Sequence, residues 1–266
     1  MDRYAVVGNP VAHSRSPEIH AAFARQTAQA LTYERLLAPT GRFVPTIEAF
    51  FASGGAGLNV TLPFKEEAFA WVDERDEFAA SAGAVNTIVK VGARFRGCNT
   101  DGLGLVRDLE RRHGLVLAGA CILVLGAGGA ARGVLGPLLG RAPARIELMN
   151  RNAGRVATLL ERFEDPRLAP ADEASRAYDI VINATSAGTQ GEPIPFDARL
   201  ARGAFAYDMA YGVGAQAFSE WAARGGARRT VDGLGMLVEQ AALAFALWRG
   251  VAPETDPVLA QLRAAQ

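Results

Sequence analysis

Cysteine is scarce in this sequence, with only Cys98 and Cys121. Their spacing fits neither a disulfide framework nor a thiolate metal site, and so few suit a reducing compartment. Histidine is hardly commoner: the 3 present lie at positions 13, 20 and 113, with no ligand-spaced grouping, so no metal site is expected. Excess charge of either sign is missing. Lysine plus arginine equals aspartate plus glutamate at 28 each, which leaves no global field to draw in nucleic acid or an anionic membrane. Long apolar runs are absent as well. The longest near the end, Ala241–Trp248, falls far short of the roughly 20 residues needed to cross a bilayer. The first residues enter a strand without the basic region and apolar core of a signal peptide, so a cytoplasmic location is expected. There is no low-complexity tract, and 266 residues are enough for two domains with real cores.

What is present is organised around Cys121–Arg132, CILVLGAGGAAR. An apolar run, Cys121–Leu125, meets Gly126-Ala127-Gly128-Gly129 and then a helix-forming stretch. This pattern is the first turn of a βαβ dinucleotide-binding unit. Gly126 allows the tight turn, Gly128 lets backbone approach a pyrophosphate, and Ala131 lets the helix lie close on the strand. The helix N-terminus offers free N–H groups and a positive dipole end to phosphates. The bland alternative is a tight turn with no ligand.

The next strand, Ala144–Asn150, selects the cofactor. An NAD site carries a carboxylate about 20 residues past the fingerprint, where it binds the ribose 2′-hydroxyl. Here that position holds Asn150 and Arg151, with Arg155 following at the helix start. Guanidiniums bind a 2′-phosphate that a carboxylate would repel, so NADP(H) is expected.

Before this unit, strands and helices alternate, which favours a largely parallel, helix-covered sheet. Tyr4–Pro10 reads as a first strand. Ser16 and Pro17 read as N-cap and first residue of a helix to about Ala28, with the Ser14 hydroxyl close by. A strand follows near Thr32–Leu36 and a helix near Phe43–Ala52. Gly57–Thr61 reads as a strand with Asn59 and Thr61 on one face. Lys65 falls in the first turn of the next helix, where the dipole disfavours an ammonium unless it pairs with an acid or serves chemistry. Ala84–Lys90 and Arg94–Asn99 read as a hairpin around Gly92, with Asn86 early in its first strand. Thr100 or Asp101 then caps a helix over Leu103–His113. Beyond the glycine loop, strands over Asp179–Asn183 and Ala204–Met209 end in small or polar residues, at the edge where open α/β sheets bind ligands. Met236–Trp248 is a long apolar helix that must be covered, and Gln240 within it needs a partner, from a ligand or from backbone.

Eight stretches together resemble the shikimate dehydrogenase family over essentially the whole chain. They are GNPVAHSRSP (8–17), NVTLPFKE (59–66), GAVNT (83–87), NTDG (99–102), GAGGAAR (126–132), NATSAG (183–188), YDMAYG (207–212) and DGLGMLVEQA (232–241). The resemblance implies an α/β fold with a substrate domain over 1–101, completed by 233–266, and a Rossmann-type NADP-binding domain with a central parallel sheet over 102–232. It also implies reversible NADPH-dependent reduction of 3-dehydroshikimate to shikimate. The family pattern places the substrate against Ser14, Ser16, Asn59, Thr61, Lys65, Asn86, Asp101, Tyr211 and Gln240, with Lys65 and Asp101 as the catalytic pair. It places the cofactor against Gly126, Ala127, Gly128, Gly129, Ala130, Asn150, Arg151, Arg155, Thr185, Met209 and Gly233. Two positions depart from it: Asn152, commonly Thr, and Cys98, commonly Asp. A quinate-type dehydrogenase of broader ring range and a non-catalytic NADP-binding sensor are the alternatives. The expected partner is a small molecule, with no nucleic acid or membrane, in a monomer or homodimer.

Overall fold

A computed structural model describes residues 1–172 and 177–265. The chain divides into two compact units, residues 1–104 with 238–266, and residues 105–237. The boundaries fall inside two helices, Asp101–Arg107 and Leu234–Arg249.

The first unit runs β1 (Asp2–Gly8), α1 (Ser16–Gln26), β2 (Leu31–Leu37), α2 (Phe43–Ala52), β3 (Gly55–Val60), α3 (Lys65–Trp71), β4 (Glu74–Arg75), α4 (Glu77–Ala82), β5 (Thr87–Val91), β6 (Arg94–Cys98) and α5 (Asp101–Arg107). Its sheet has the order β2-β1-β3-β5-β6-β4. The expectation of a largely parallel sheet holds in part: β1 with β2, β1 with β3 and β4 with β6 are parallel, while β5 pairs antiparallel with both β3 and β6. The short hairpin at Gly92 forces β6 to run against β5, because a parallel pair needs a long crossover. α2 buries Phe43, Ile47, Phe50 and Phe51, a helical stripe that packs with Leu58, Val60 and Ile88 from the sheet.

The second unit continues with β7 (Cys121–Leu125), α6 (Gly129–Leu139), β8 (Arg145–Met149), α7 (Ala153–Phe163), β9 (Leu168–Pro170), β10 (Ile180–Asn183), β11 (Phe205–Asp208), α8 (Gln216–Gly225) and β12 (Arg229–Val231). All pairings in its sheet are parallel, in the order β12-β11-β10-β7-β8-β9. This is the doubly wound order whose reversal, between β7 and β10, marks the ligand-binding edge. The strands read as apolar runs because helices cover both faces. α9 (Leu234–Arg249) and α10 (Asp256–Ala264) complete the chain.

Several boundaries differ from those read in the sequence. Arg15, not Ser16, holds the cap position of α1, so Ser16 and Pro17 are both helical. β3 ends at Val60, which leaves Thr61 in the turn that leads to α3. Asn86 precedes β5 instead of lying within it. Asp101 is the first residue of α5 rather than its cap, and Asn99 Oδ1 accepts from the Asp101 N–H. That helix continues as a π-helical turn over Asp108–Arg112. The buried Asp108 carboxylate there accepts from Arg112 Nε at 2.8 Å and from the Tyr207 hydroxyl at 2.7 Å. β4, α4, β9, α8, β12 and α10 have no counterpart in the sequence reading. Among the described residues, no helix is long and apolar enough to cross a membrane.

Candidate active site

In the first unit, strand ends and helix starts gather a connected set of polar side chains. Lys65 opens α3 and Asp101 opens α5, and Lys65 Nζ donates to Asp101 Oδ2 at 2.6 Å. Both side chains are partly exposed, at 27% and 18%, so the pair stays open to a ligand. The other carboxylate oxygen, Asp101 Oδ1, accepts from Asn86 Nδ2 at 2.8 Å. Asn86 is held in turn: Nδ2 also donates to Thr100 Oγ1 at 2.9 Å, while Oδ1 accepts from Thr100 N–H and from the Thr87 hydroxyl, each at 2.9 Å. A buried amide engaged on both sides has one orientation, and it passes that orientation to Asp101.

The network reaches further. Asn59, buried on β3, donates from Nδ2 to Thr87 Oγ1 at 3.0 Å and to the Asn86 carbonyl at 3.2 Å. Asn59 Oδ1 accepts from the Tyr33 hydroxyl at 2.7 Å. At the mouth of α1, Ser14 Oγ donates to Ser16 Oγ at 3.2 Å and accepts from the Ser16 N–H. Gln240 on α9 brings Oε1 to 3.4 Å from both Asn86 Nδ2 and Thr100 Oγ1. Protein side chains thus meet its oxygen, where the sequence left ligand and backbone as the open choices. Thr61 lies against Gly8, where a Cβ would stand 2.4 Å from Thr61 Cγ2. Among the substrate residues read from the sequence, Tyr211 is the exception: it follows β11 in the second unit.

In the second unit the glycine loop follows β7. Gly126 adopts φ +105, and a Cβ there would press within 3.0 Å of the Ala184 carbonyl, so this turn requires glycine. At Gly128 and Gly129 a Cβ would meet nothing within 4 Å. The N-terminal turn of α6 therefore presents bare backbone to open space, while Ala131 is wholly buried against the sheet. Ala130 is exposed in the same turn. At the end of β8, Asn150 Nδ2 donates to the Asn152 carbonyl, and Asn152 caps α7 by accepting from Gly154 N–H. Arg151 and Arg155 are exposed, and among the described residues neither pairs with a carboxylate.

The ends of β10 and β11 are tied together. Asn183 Oδ1 accepts from Thr185 N–H and the Thr185 hydroxyl, and Asn183 Nδ2 donates to Asp208 Oδ1 at 3.1 Å. Asp208 Oδ1 also accepts from Ala210 N–H, whereas the buried Oδ2 has no partner among the described residues. Burial pushes this carboxyl up to about 7, against those two hydrogen bonds. Gly233 N–H donates to the Ala210 carbonyl, and a Cβ at Gly233 would stand 2.3 Å from the Met209 carbonyl oxygen. Thr185, Met209 and Gly233 thus line one edge of this sheet. Tyr33, Thr87, Asn183 and Asp208 were not singled out in the sequence; the last three lie within GAVNT, NATSAG and YDMAYG, while nothing local separates Tyr33 from an ordinary strand residue.

Residues 6–88 match the shikimate dehydrogenase substrate binding domain, 108–191 shikimate / quinate 5-dehydrogenase, and 233–263 the shikimate 5′-dehydrogenase C-terminal domain. The shikimate dehydrogenase (NADP(+)) of Alkalilimnicola ehrlichii is 54% identical, over 98% of this chain and 98% of its own. The chain belongs to the shikimate dehydrogenase family. Among solved structures, an Ael1 enzyme from Pseudomonas putida superposes with a TM-score of 0.93 at 41% identity, covering 98% of both chains. Shikimate 5-dehydrogenase from Thermus thermophilus, in complex with NADP(H) and shikimate, gives 0.87 at 34% identity over 100% of both.

The protein is an NADP-dependent oxidoreductase of this family. Its second unit fits the cofactor. Bare backbone at Gly128 and Gly129 admits a pyrophosphate, the helix dipole favours it, and the guanidiniums of Arg151 and Arg155 stand where an NAD site has its carboxylate.

Proposed function

We propose that Lys65 and Asp101 are the acid–base pair with which this family member reduces 3-dehydroshikimate to shikimate. The reading rests above all on the 2.6 Å Lys65–Asp101 contact, held by Asn86 among groups suited to a polyhydroxylated ring. Ser14, Ser16, Asn59, Thr61, Asn86, Tyr211 and Gln240 bind the ring hydroxyls and the carboxylate, because buried substrate hydroxyls need partners. Gly126–Ala130, Asn150, Arg151, Arg155, Thr185, Met209 and Gly233 hold the coenzyme. In domain terms, 1–101 with 233–266 takes the substrate and 102–232 the coenzyme.

Bound NADPH supplies the hydride to the ring ketone carbon. The Lys65 ammonium hydrogen-bonds the ketone oxygen and passes it a proton as negative charge develops there. Asp101 holds both Lys65 and a neighbouring ring hydroxyl. In the oxidative direction the pair takes the proton from the substrate hydroxyl. A monomer or homodimer working in the cytoplasm, with no nucleic-acid partner, completes the reading, in keeping with the balanced charge of 28 basic and 28 acidic residues.

Steady-state oxidation of shikimate and quinate, with NADP⁺ and NAD⁺ in parallel, tests it. Preferred turnover of shikimate with NADP⁺ is expected. Equal turnover of quinate gives a quinate-type enzyme, and tight NADPH binding without turnover gives a sensor. Replacing Arg151 should raise the KM for NADPH much more than that for NADH; equal changes would remove the 2′-phosphate assignment.

A further inference from the structure

We infer that Asp208 is a positioning residue for the coenzyme, because one of its carboxyl oxygens ties the loop that carries Thr185 to the turn that carries Met209. The inference rests on the coenzyme reading of Thr185, Met209 and Gly233 given above. Asp208 closes β11, an otherwise apolar strand, and is 1% exposed. Its hydrogen-bond partners are two N–H groups rather than a cation. Burying a carboxyl on those terms is costly, and what it holds explains its place.

The backbone ladder between β10 and β11 ends where Met209 N–H donates to the Asn183 carbonyl. Beyond that point the tie is made by side chains. Asp208 Oδ1 accepts from Asn183 Nδ2 at 3.1 Å and from Ala210 N–H at 2.9 Å. On the β10 side, Asn183 Oδ1 accepts from Thr185 N–H at 3.1 Å and from the Thr185 hydroxyl at 2.7 Å. A backbone N–H can only donate, so the amide oxygen faces Thr185 and the amide nitrogen must find its acceptor elsewhere. Among the described residues that acceptor is Asp208. Asn183 and Thr185 are two residues apart and move together; the bond to Asp208 fixes that unit to the next strand. On the β11 side, Ala210 has its N–H on Asp208 and its carbonyl on Gly233 N–H at 2.8 Å, with Met209 pressed between. Thr185, Met209 and Gly233 thus hang on one oxygen.

The second oxygen says which form of the acid does this. Oδ2 is buried and has no partner among the described residues, which suits a protonated oxygen better than a charged one. Burial pushes the carboxyl up to about 7; the two hydrogen bonds oppose this, and the Asp232 carboxylate adds to it. Asp232 itself accepts from Gly212 N–H and Leu234 N–H. At pH 6 the proton therefore sits on Oδ2, and Oδ1 is a carbonyl-type acceptor with a lone pair for each N–H. Without that acceptor, two buried donors lose their partner and coenzyme binding must order both loops, a cost that falls on coenzyme affinity.

The test compares Asp208→Ala, which removes the acceptor, with Asp208→Asn, which keeps it and mimics the protonated acid. Titrating the full-length protein with NADPH at pH 6, followed by fluorescence, should give a Kd raised about tenfold in Asp208→Ala and within about twofold of wild type in Asp208→Asn. At saturating NADPH, kcat and the KM for 3-dehydroshikimate should stay within about twofold in both. Combined with Thr185→Ala, the Asp208→Ala effect on Kd should fall short of the product of the single effects by at least about threefold. An unchanged Kd in Asp208→Ala, even with a lowered Tm, would leave Asp208 a packing residue and overturn the inference. Equal losses in the Asn and Ala variants, or effects that multiply in the double variant, would do the same. Should Asp208→Ala fail to fold, Asn183→Ala cuts the tie from β10, with the same rise in Kd expected and an unchanged Kd overturning the inference. Absence of wild-type turnover on 3-dehydroshikimate would overturn the functional reading alone, since the NADPH titration needs no turnover.

Discussion

Lys65 occupies the first position of α3, where the positive helix end disfavours an ammonium, and Asp101 occupies the first position of α5, where the same end favours a carboxylate. Joined at 2.6 Å, they form a pair whose amine is electrostatically out of place without its acid. Replacing Lys65 by Ala should cut kcat by about 10²–10⁴, the usual worth of a positioned acid–base group, with a modest change in substrate KM. Steady-state kinetics at saturating NADP⁺ checks this. A rise in KM alone would make Lys65 a binding residue instead. Its misfit with the dipole could be read from NVTLPFKE. That Asp101 answers it came from the family resemblance alone, because the two lie on different helices.

Elements meet in the first unit at a glycine whose role the sequence did not disclose. At Gly104 on α5, a Cβ would stand 2.8 Å from both the Cβ and the backbone N of Gln240 on α9. Neither atom is the end of a flexible chain, so an added methyl must push the helices apart. Gly104→Ala should destabilise by about 1–3 kcal/mol, enough to lower Tm by several degrees, through overpacking. The displaced Gln240 should raise the KM for shikimate as well. Thermal melting and substrate titration read the two effects separately, and an unshifted Tm would show that the helices yield freely. The second unit obeys its pattern more openly. CILVLGAGG carries strand, turn and helix start together, and φ +105 at Gly126 is the conformation its glycine allows.

For the whole molecule, two buried groups pull the pH dependence of stability in opposite senses. His20, in the first unit, falls from 6.5 to about 3 in the folded state. Between those values the unfolded chain binds a proton that the folded one does not. Stability from this group is complete above pH 6.5 and drains as pH falls toward 3, by at most about 1.4 kcal/mol per pH unit. Asp208, in the second unit, rises from 3.8 to about 7. There the folded form keeps the proton, so stability is complete below 3.8 and drains as pH rises toward 7. His20→Phe should therefore flatten the loss on acidification, and Asp208→Asn the loss between pH 4 and 7. Urea unfolding across pH 4–8 checks both, and matching slopes in variant and wild type would show that the group titrates normally.

Much of this protein is determined by local sequence. Apolar runs ending in glycine specify a strand and its turn, because only glycine tolerates the left-handed conformation and the close approach at Gly126. The missing carboxylate after β8 and the two arginines there specify the cofactor by charge alone. Tertiary structure decided the rest. Whether the first sheet is parallel or mixed depends on β5 docking antiparallel beside β3, and whether Tyr33 touches Asn59 depends on β2 and β3 both pairing with β1. Hydrogen-bond networks need donors and acceptors within about 3 Å, and residues far apart in the chain reach that distance only once the core has packed.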